Sequence, residues 1–164
     1  MRRYNVADGA HLWSFKTGPS DQPRLTYEIF STPTPSADGS RLYFGANDWK
    51  LYAIDTTEPQ KRGKQRLVWT YAAEDDIQAS PVIDRYANAV IVGSHDAAVH
   101  AVDLDTGTQL WKFVTGDYVL GQATIRCACG NTRTRVNEVN RMKPPEHCKM
   151  VRTVIRTTVG PSMT

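Results

Sequence analysis

AVDLDTGTQLW, residues 101–111, joins a run of turn formers to a closing tryptophan and follows two short apolar runs. Whether it is a local turn or one copy of a repeat decides the fold. Two longer segments answer the question. STPTPSADGSRLYFGANDWKLYAID (31–55) and ASPVIDRYANAVIVGSHDAAVHAVD (79–103) align at an offset of 48 residues. Pro33 then falls on Pro81, Gly45 on Gly93, Asp48 on Asp96, Ala53 on Ala101 and Asp55 on Asp103. The apolar positions match as well, with Leu42, Tyr43 and Phe44 on Val90, Ile91 and Val92, and Ile54 on Val102.

A tryptophan closes each unit. Trp111 follows Asp103 by eight residues and Trp69 follows Asp55 by fourteen. The six extra residues lie in TTEPQKRGKQR (56–66), whose Pro, Gly and charges read as a lengthened turn. A third copy, RYNVADGAHLW (3–13), keeps Gly9 and Trp13 at the spacing of Gly107 and Trp111. Each tryptophan is followed by a similar word: WSFKTG, WTYAAE and WKFVTG. The period is about 42 residues once the insertion is removed.

In the best-preserved unit the strand-like runs are IQASPVID, AVIVG, AVHAVD and QLWKFVT. Four short strands in about 42 residues describe a β-propeller blade. No run shows the i, i+3, i+4 apolar spacing of a helical repeat. The expected fold is all-β: a partial propeller of two nearly complete four-stranded blades plus flanking blade fragments, followed by an irregular tail. Gly45 and Gly93 are expected at the tight bend between a blade's second and third strands. Asp48 and Asp96 are expected to accept local backbone N–H bonds in that turn.

Charge and composition divide the chain near Gln122. Residues 1–122 hold twelve Lys and Arg against fifteen Asp and Glu, while residues 123–164 hold eight against two. All 15 aromatics fall at or before Tyr118, and all three cysteines, Cys127, Cys129 and Cys148, come after it. The expected organisation is a repeat region over 1–122 and a basic tail over 123–164, disordered or outside the repeat. No apolar run reaches the roughly 18 residues of a membrane span. MRRYNVADG has no apolar stretch behind its arginines, so it does not read as a signal peptide. The default compartment is cytoplasmic.

AVDLDTGTQLW resembles the tryptophan-docking motif of the pyrroloquinoline-quinone (PQQ)-like propeller family, with Ala101, Asp103, Gly107 and Trp111 in register. The resemblance covers residues 3 to about 122. Ala53, Asp55 and Trp69 match in the second copy, and Gly9 and Trp13 in the first, where Asn5 stands for the family's aspartate. It implies that each tryptophan stacks on the backbone of a neighbouring motif and locks blade to blade. The family holds PQQ-dependent alcohol and glucose dehydrogenases. It also holds non-enzymatic propellers, such as the lipoprotein of the bacterial outer-membrane assembly machinery.

After FVTGDYVLGQATI the repeat stops, although Tyr118–Ile125 can form a further first strand. MVRTVIRTTV (150–159) has strand propensity but no evident partner. Propellers have typically about four to eight blades, and uncapped repeats are a liability. Two expectations follow: a truncated or frame-shifted gene product, or a natural fragment that assembles with copies of itself.

Sites of chemistry are weak. The resemblance implies that a PQQ dehydrogenase holds its quinone with calcium, an acidic base and a disulfide between adjacent cysteines. Ala128 separates Cys127 from Cys129, so they are not that pair. Glu74, Asp75 and Asp76 read as a solvated run. His95 and His100 lie near one bend without a third ligand at fixed spacing, and His100 occupies the position of Tyr52; packing or surface roles are favoured over metal. Cys127 and Cys129, with His147 and Cys148 further on, are a poor match to paired zinc knuckles. The basic tail lacks aromatics to stack on bases, which disfavours nucleic acid. No catalytic, cofactor-binding or metal residue is therefore assigned, and PQQ or calcium is expected only in a longer parent protein. The expected function is a non-catalytic scaffold or protein-interaction segment, binding proteins or copies of itself through exposed blade edges. The alternative is a fragment of a PQQ-dependent oxidoreductase without its active-site blades.

Overall fold

The computed structural model describes residues 1–18, 28–57, 63–127 and 151–154, with side chains left out at 64, 125–127 and 151–154. Among them there is no α-helix. A hairpin of β1 (Arg2–Tyr4) and β2 (His11–Ser14) comes first. Two four-stranded antiparallel sheets follow. The first runs β3 (Thr34–Pro35), β4 (Arg41–Gly45), β5 (Lys50–Asp55), β6 (Leu67–Ala72) in spatial order. The second repeats that order as β7 (Val82–Asp84), β8 (Ala89–Ser94), β9 (Ala98–Asp103), β10 (Gln109–Val114). β11 (Thr124–Cys127) and β12 (Val151–Val154) form a last antiparallel pair, and β11 lies beside β7. The meander recurring twice is the blade pattern expected from the repeat. No helix among the described residues is long and apolar enough to cross a membrane.

The middle strands are apolar on both faces because both are covered: the first sheet lies between the β1–β2 hairpin and the second sheet, and the far face of the second carries Val119 and Ala123. All six residues of β8 and five of six in β9 are buried. The inner strands stay short beside Pro33, Pro35 and Pro81, which lack an N–H for the ladder. Three apolar clusters result. One joins the β1–β2 hairpin to the first sheet through Trp13, Phe15, Phe44, Tyr52 and Ile54. The next joins the two four-stranded sheets. The third lies on the far face of the second sheet and holds Ile91, Val99, Ala101, Val119 and Ala123.

Several expectations are corrected by this arrangement. Gly45 and Gly93 end or nearly end their strands, and the bend comes later, with Trp49 and Ala97 at φ 65° and 58°. The glycines serve close approach instead. A Cβ on Gly45 would lie 2.2 Å from Ile77 Cγ2, and one on Gly93 would lie 2.3 Å from Val119 Cγ1. Tyr118–Ala123 is not strand, since Val119 is spent under Gly93 and only Thr124–Cys127 extends. Val151–Val154 does have a partner, in β11.

Candidate functional site at the seam between sheets

The first sheet meets the second along a continuous seam. At its apolar centre Tyr43, Leu51, Ala53, Ile77 and Ala79 pack on Val90, Val92 and Val102. At one rim three side chains of the first sheet reach a single carbonyl. Trp69 Nε1 donates to Leu104 O at 3.2 Å, Tyr43 Oη at 3.3 Å and Arg41 Nη1 at 3.1 Å. Arg41 also pairs with Asp105 at 2.9 Å. Burial raises the Tyr43 phenol above its ordinary pKa, which keeps it a donor.

The indole of Trp69 lies against Gly107, where an added Cβ would come within 2.7 Å of the ring. Gly107 has φ 75°, a conformation glycine adopts without strain. Asp103 builds that turn. Its Oδ1 accepts from the amides of Thr106 and Asp105 at 2.8 and 3.0 Å and from the Thr106 hydroxyl at 2.9 Å. These bonds, led by the Thr106 amide, hold its carboxyl below the usual range. The first copy has the same turn. Asn5 Oδ1 accepts from the Ala7 amide at 3.0 Å, and the Gly9 amide donates to Asn5 O at 2.9 Å, with φ 70° at Gly9. An amide oxygen thus serves where the third copy has the Asp103 carboxylate.

Each tryptophan is aimed by its own strand. Ala53 pairs with Trp69 and Ala101 with Trp111, while Arg3 faces Trp13. In all three pairs the register slips at the residue before the tryptophan, so Leu12, Val68 and Leu110 bulge outward and are about two-fifths exposed. Trp13 and Trp69 are buried, and Trp111 is half-buried. The insertion changes what covers Trp13: the Arg66 guanidinium sits 4.5 Å above its ring. Asp55 accepts locally from the Thr57 amide and hydroxyl at 2.7 and 2.6 Å.

At the opposite rim a polar chain crosses the seam. Tyr71 Oη is 2.9 Å from His100 Nδ1 and donates to Gln109 Oε1 at 2.6 Å. His100 Nε2 is 3.1 Å from Asp96, which also takes Lys112 Nζ at 3.2 Å. Lys112 reaches back to Glu74 at 2.8 Å. Burial alone would raise the Asp96 carboxyl. The bonds from His100, the Glu74 amide and Lys112 outweigh it, and the group sits below the usual range. Asp96 therefore binds across the seam rather than capping its own turn, and Asp48 is taken by the Tyr52 hydroxyl.

Among the described residues no three His, Cys, Asp or Glu gather as a metal site. His100 is buried in the chain just described, and His95 stacks on Tyr118. In the acidic run Glu74 is exposed as expected, while Asp75 and Asp76 are half-buried and their backbone carbonyls accept from the Ser94 hydroxyl at 3.2 and 3.1 Å. Cys129, His147 and Cys148 lie outside the described residues, as does the Cys127 side chain.

The profile of a protein family described as outer membrane protein assembly factor BamB matches residues 1–123. The chain belongs to the PQQ-like propeller-repeat family. Among curated proteins, a 1-butanol dehydrogenase (quinone) from Thauera butanivorans is 32% identical over 124 residues, which are 71% of this chain and 18% of that protein. The chain thus spans under a fifth of that relative's length. Sequence reasoning missed Arg41, Tyr43, Tyr71 and Leu104. For Arg41, Tyr43 and Leu104 the pairing requires knowing which carbonyl faces which strand, and Tyr71 meets side chains of the other sheet that are remote in sequence.

Proposed function

We propose that this PQQ-like repeat segment is a non-catalytic scaffold, in which Trp13, Trp69 and Trp111 dock sheet to sheet and the outer faces present protein-binding surface. The observation that carries the reading is the Trp69 contact: indole face on Gly107, indole N–H on the Leu104 carbonyl. Ala53, Asp55, Ala101 and Asp103 support it by shaping the ring's bed and the turns. Among the described residues, the side chains best buried and bonded are spent on holding sheets together.

A second reading is favoured by one comparison. On this reading, supported by the relative named 1-butanol dehydrogenase (quinone), the chain is a segment of an oxidoreductase whose reactive centre lies elsewhere. The coding sequence on either side of the chain separates the two. Further repeats that carry adjacent cysteines and calcium-ligand carboxylates would replace the scaffold reading with the second, and repeats without them retain it.

A further inference from the structure

The seam between the two complete sheets has two parts: an indole, and a glycine turn with a free carbonyl ahead of it. Both parts also occur singly. Trp111 has the register, the bulge and the apolar bed of Trp69, in Ile91, Val99, Ala101 and Val119. Yet among the described residues its indole N–H has no hydrogen-bond partner and no glycine turn lies on its ring. Conversely, the Asn5–Gly9 turn repeats the backbone bonds of the Asp103–Gly107 turn and one of its side-chain bonds, and among the described residues nothing lies within 4 Å of where a Gly9 Cβ would be. By repeat position Val6 stands where Leu104 does, and it is fully exposed.

We infer that Trp111 of one copy of this chain docks on the Val6–Gly9 turn of a second copy, forming in trans the seam that Trp69 forms in cis. The inference rests on the docking reading of Trp69 given above. Strand order agrees with it. β11 lies beside β7 as a first strand would, and β12 follows it; β1 and β2 pair as third and fourth strands do. Laid edge to edge, β11, β12, β1 and β2 restore the order of each four-stranded sheet. The contact joins unlike surfaces, so it propagates head to tail until it closes. A closed pair holds six sheets, inside the usual range of about four to eight.

Light scattering on the full chain across a concentration series tests this. The expected result is concentration-dependent association to the mass of two copies. Trp111→Ala weakens it about tenfold or more, as loss of a central aromatic anchor does, while Trp49→Asn, at an exposed indole away from the seam, leaves it unchanged. Gly9→Leu blocks the turn, and mixing it with Trp111→Ala restores association, because each retains the half the other lacks. This mixture keeps the test sound if either variant is individually weakened. A chain that stays monomeric, or associates equally well with Trp111→Ala, overturns the inference. A monomer whose Trp111 is shielded from a soluble quencher overturns it too, by assigning the ring to the chain's own remaining residues. The reading of Trp69 is judged apart, by the stability of the Trp69→Ala monomer.

Discussion

Ile77 crosses directly over the α-carbon of Gly45, its side chain filling the space where a methyl group would lie. Val119 stands over Gly93 in the same way. The segment leaving each sheet thereby passes close to the second strand, and the amides of Ile77 and Val119 bond to the carbonyls of Ala46 and Ser94 at 3.2 and 3.0 Å. Gly45→Ala or Gly93→Ala must push this crossing outward, since backbone oxygen as well as side chain is in the way. Each costs about 1–3 kcal/mol, the usual range for overpacking. Urea unfolding of the two variants checks it; stability within error of the parent contradicts the crossing.

Trp69 and its neighbour Val68 make a contrast within two residues. Trp69→Ala empties the seam and removes one of three donors to the Leu104 carbonyl, and a loss of about 3–5 kcal/mol is expected. Val68→Thr changes only a bulged, exposed side chain and stays within about 0.5 kcal/mol. Equilibrium denaturation of both, compared at matched slopes, tests the bulge as directly as the indole. A large loss from Val68→Thr means the register slip is misplaced.

Tyr71 and His100 belong to different sheets, so their hydrogen bond is a seam interaction and not a strand interaction. A double-mutant cycle with Tyr71→Phe and His100→Phe is expected to show coupling of about 0.5–3 kcal/mol, the range for contacting residues. Additive losses mean that the two side chains do not sense each other.

Asp96 gives the seam an acid dependence whose sign follows from its lowered pKa. The folded state favours its carboxylate, so its contribution is full above the ordinary value of 3.8 and fades as pH falls through the lower folded value. Asp96→Asn is therefore less stable than the parent at neutral pH, and the gap narrows on acidification below 3.8. Urea midpoints across a pH series measure it; a gap that stays constant assigns the effect to packing instead of charge.

The repeat was legible in the chain because its signal lies in residue types that survive substitution. Glycine, tryptophan and aspartate recur at fixed offsets, and β-branched runs mark the middle strands. The polar rims were less legible. Leu104 acts through its carbonyl, which every residue has. Tyr71 occupies a position held by Phe15 and Phe113, so its hydroxyl looks like variation within an aromatic slot. The bulges could have been found: an apolar residue just before each tryptophan, in His-Leu-Trp, Leu-Val-Trp and Gln-Leu-Trp, breaks the alternation of an outer strand. Gly45 and Gly93 were rightly marked as special but given a bend to make, because close approach of a distant segment leaves no local trace.

Arg66 over Trp13 shows how the repeat absorbs a change in length. With six residues added, no glycine among the described residues lies on the Trp13 ring, yet Trp13 is 3% exposed against 8% for Trp69. A long, planar cation can reach the ring from a segment of variable path, where a glycine turn must arrive at one place. Loop length at this rim is thus uncoupled from the shielding of the ring beneath it. Sequence drift can lengthen or re-route the connection between third and fourth strands, and so vary the outward surface, while the spacing of the wheel stays fixed.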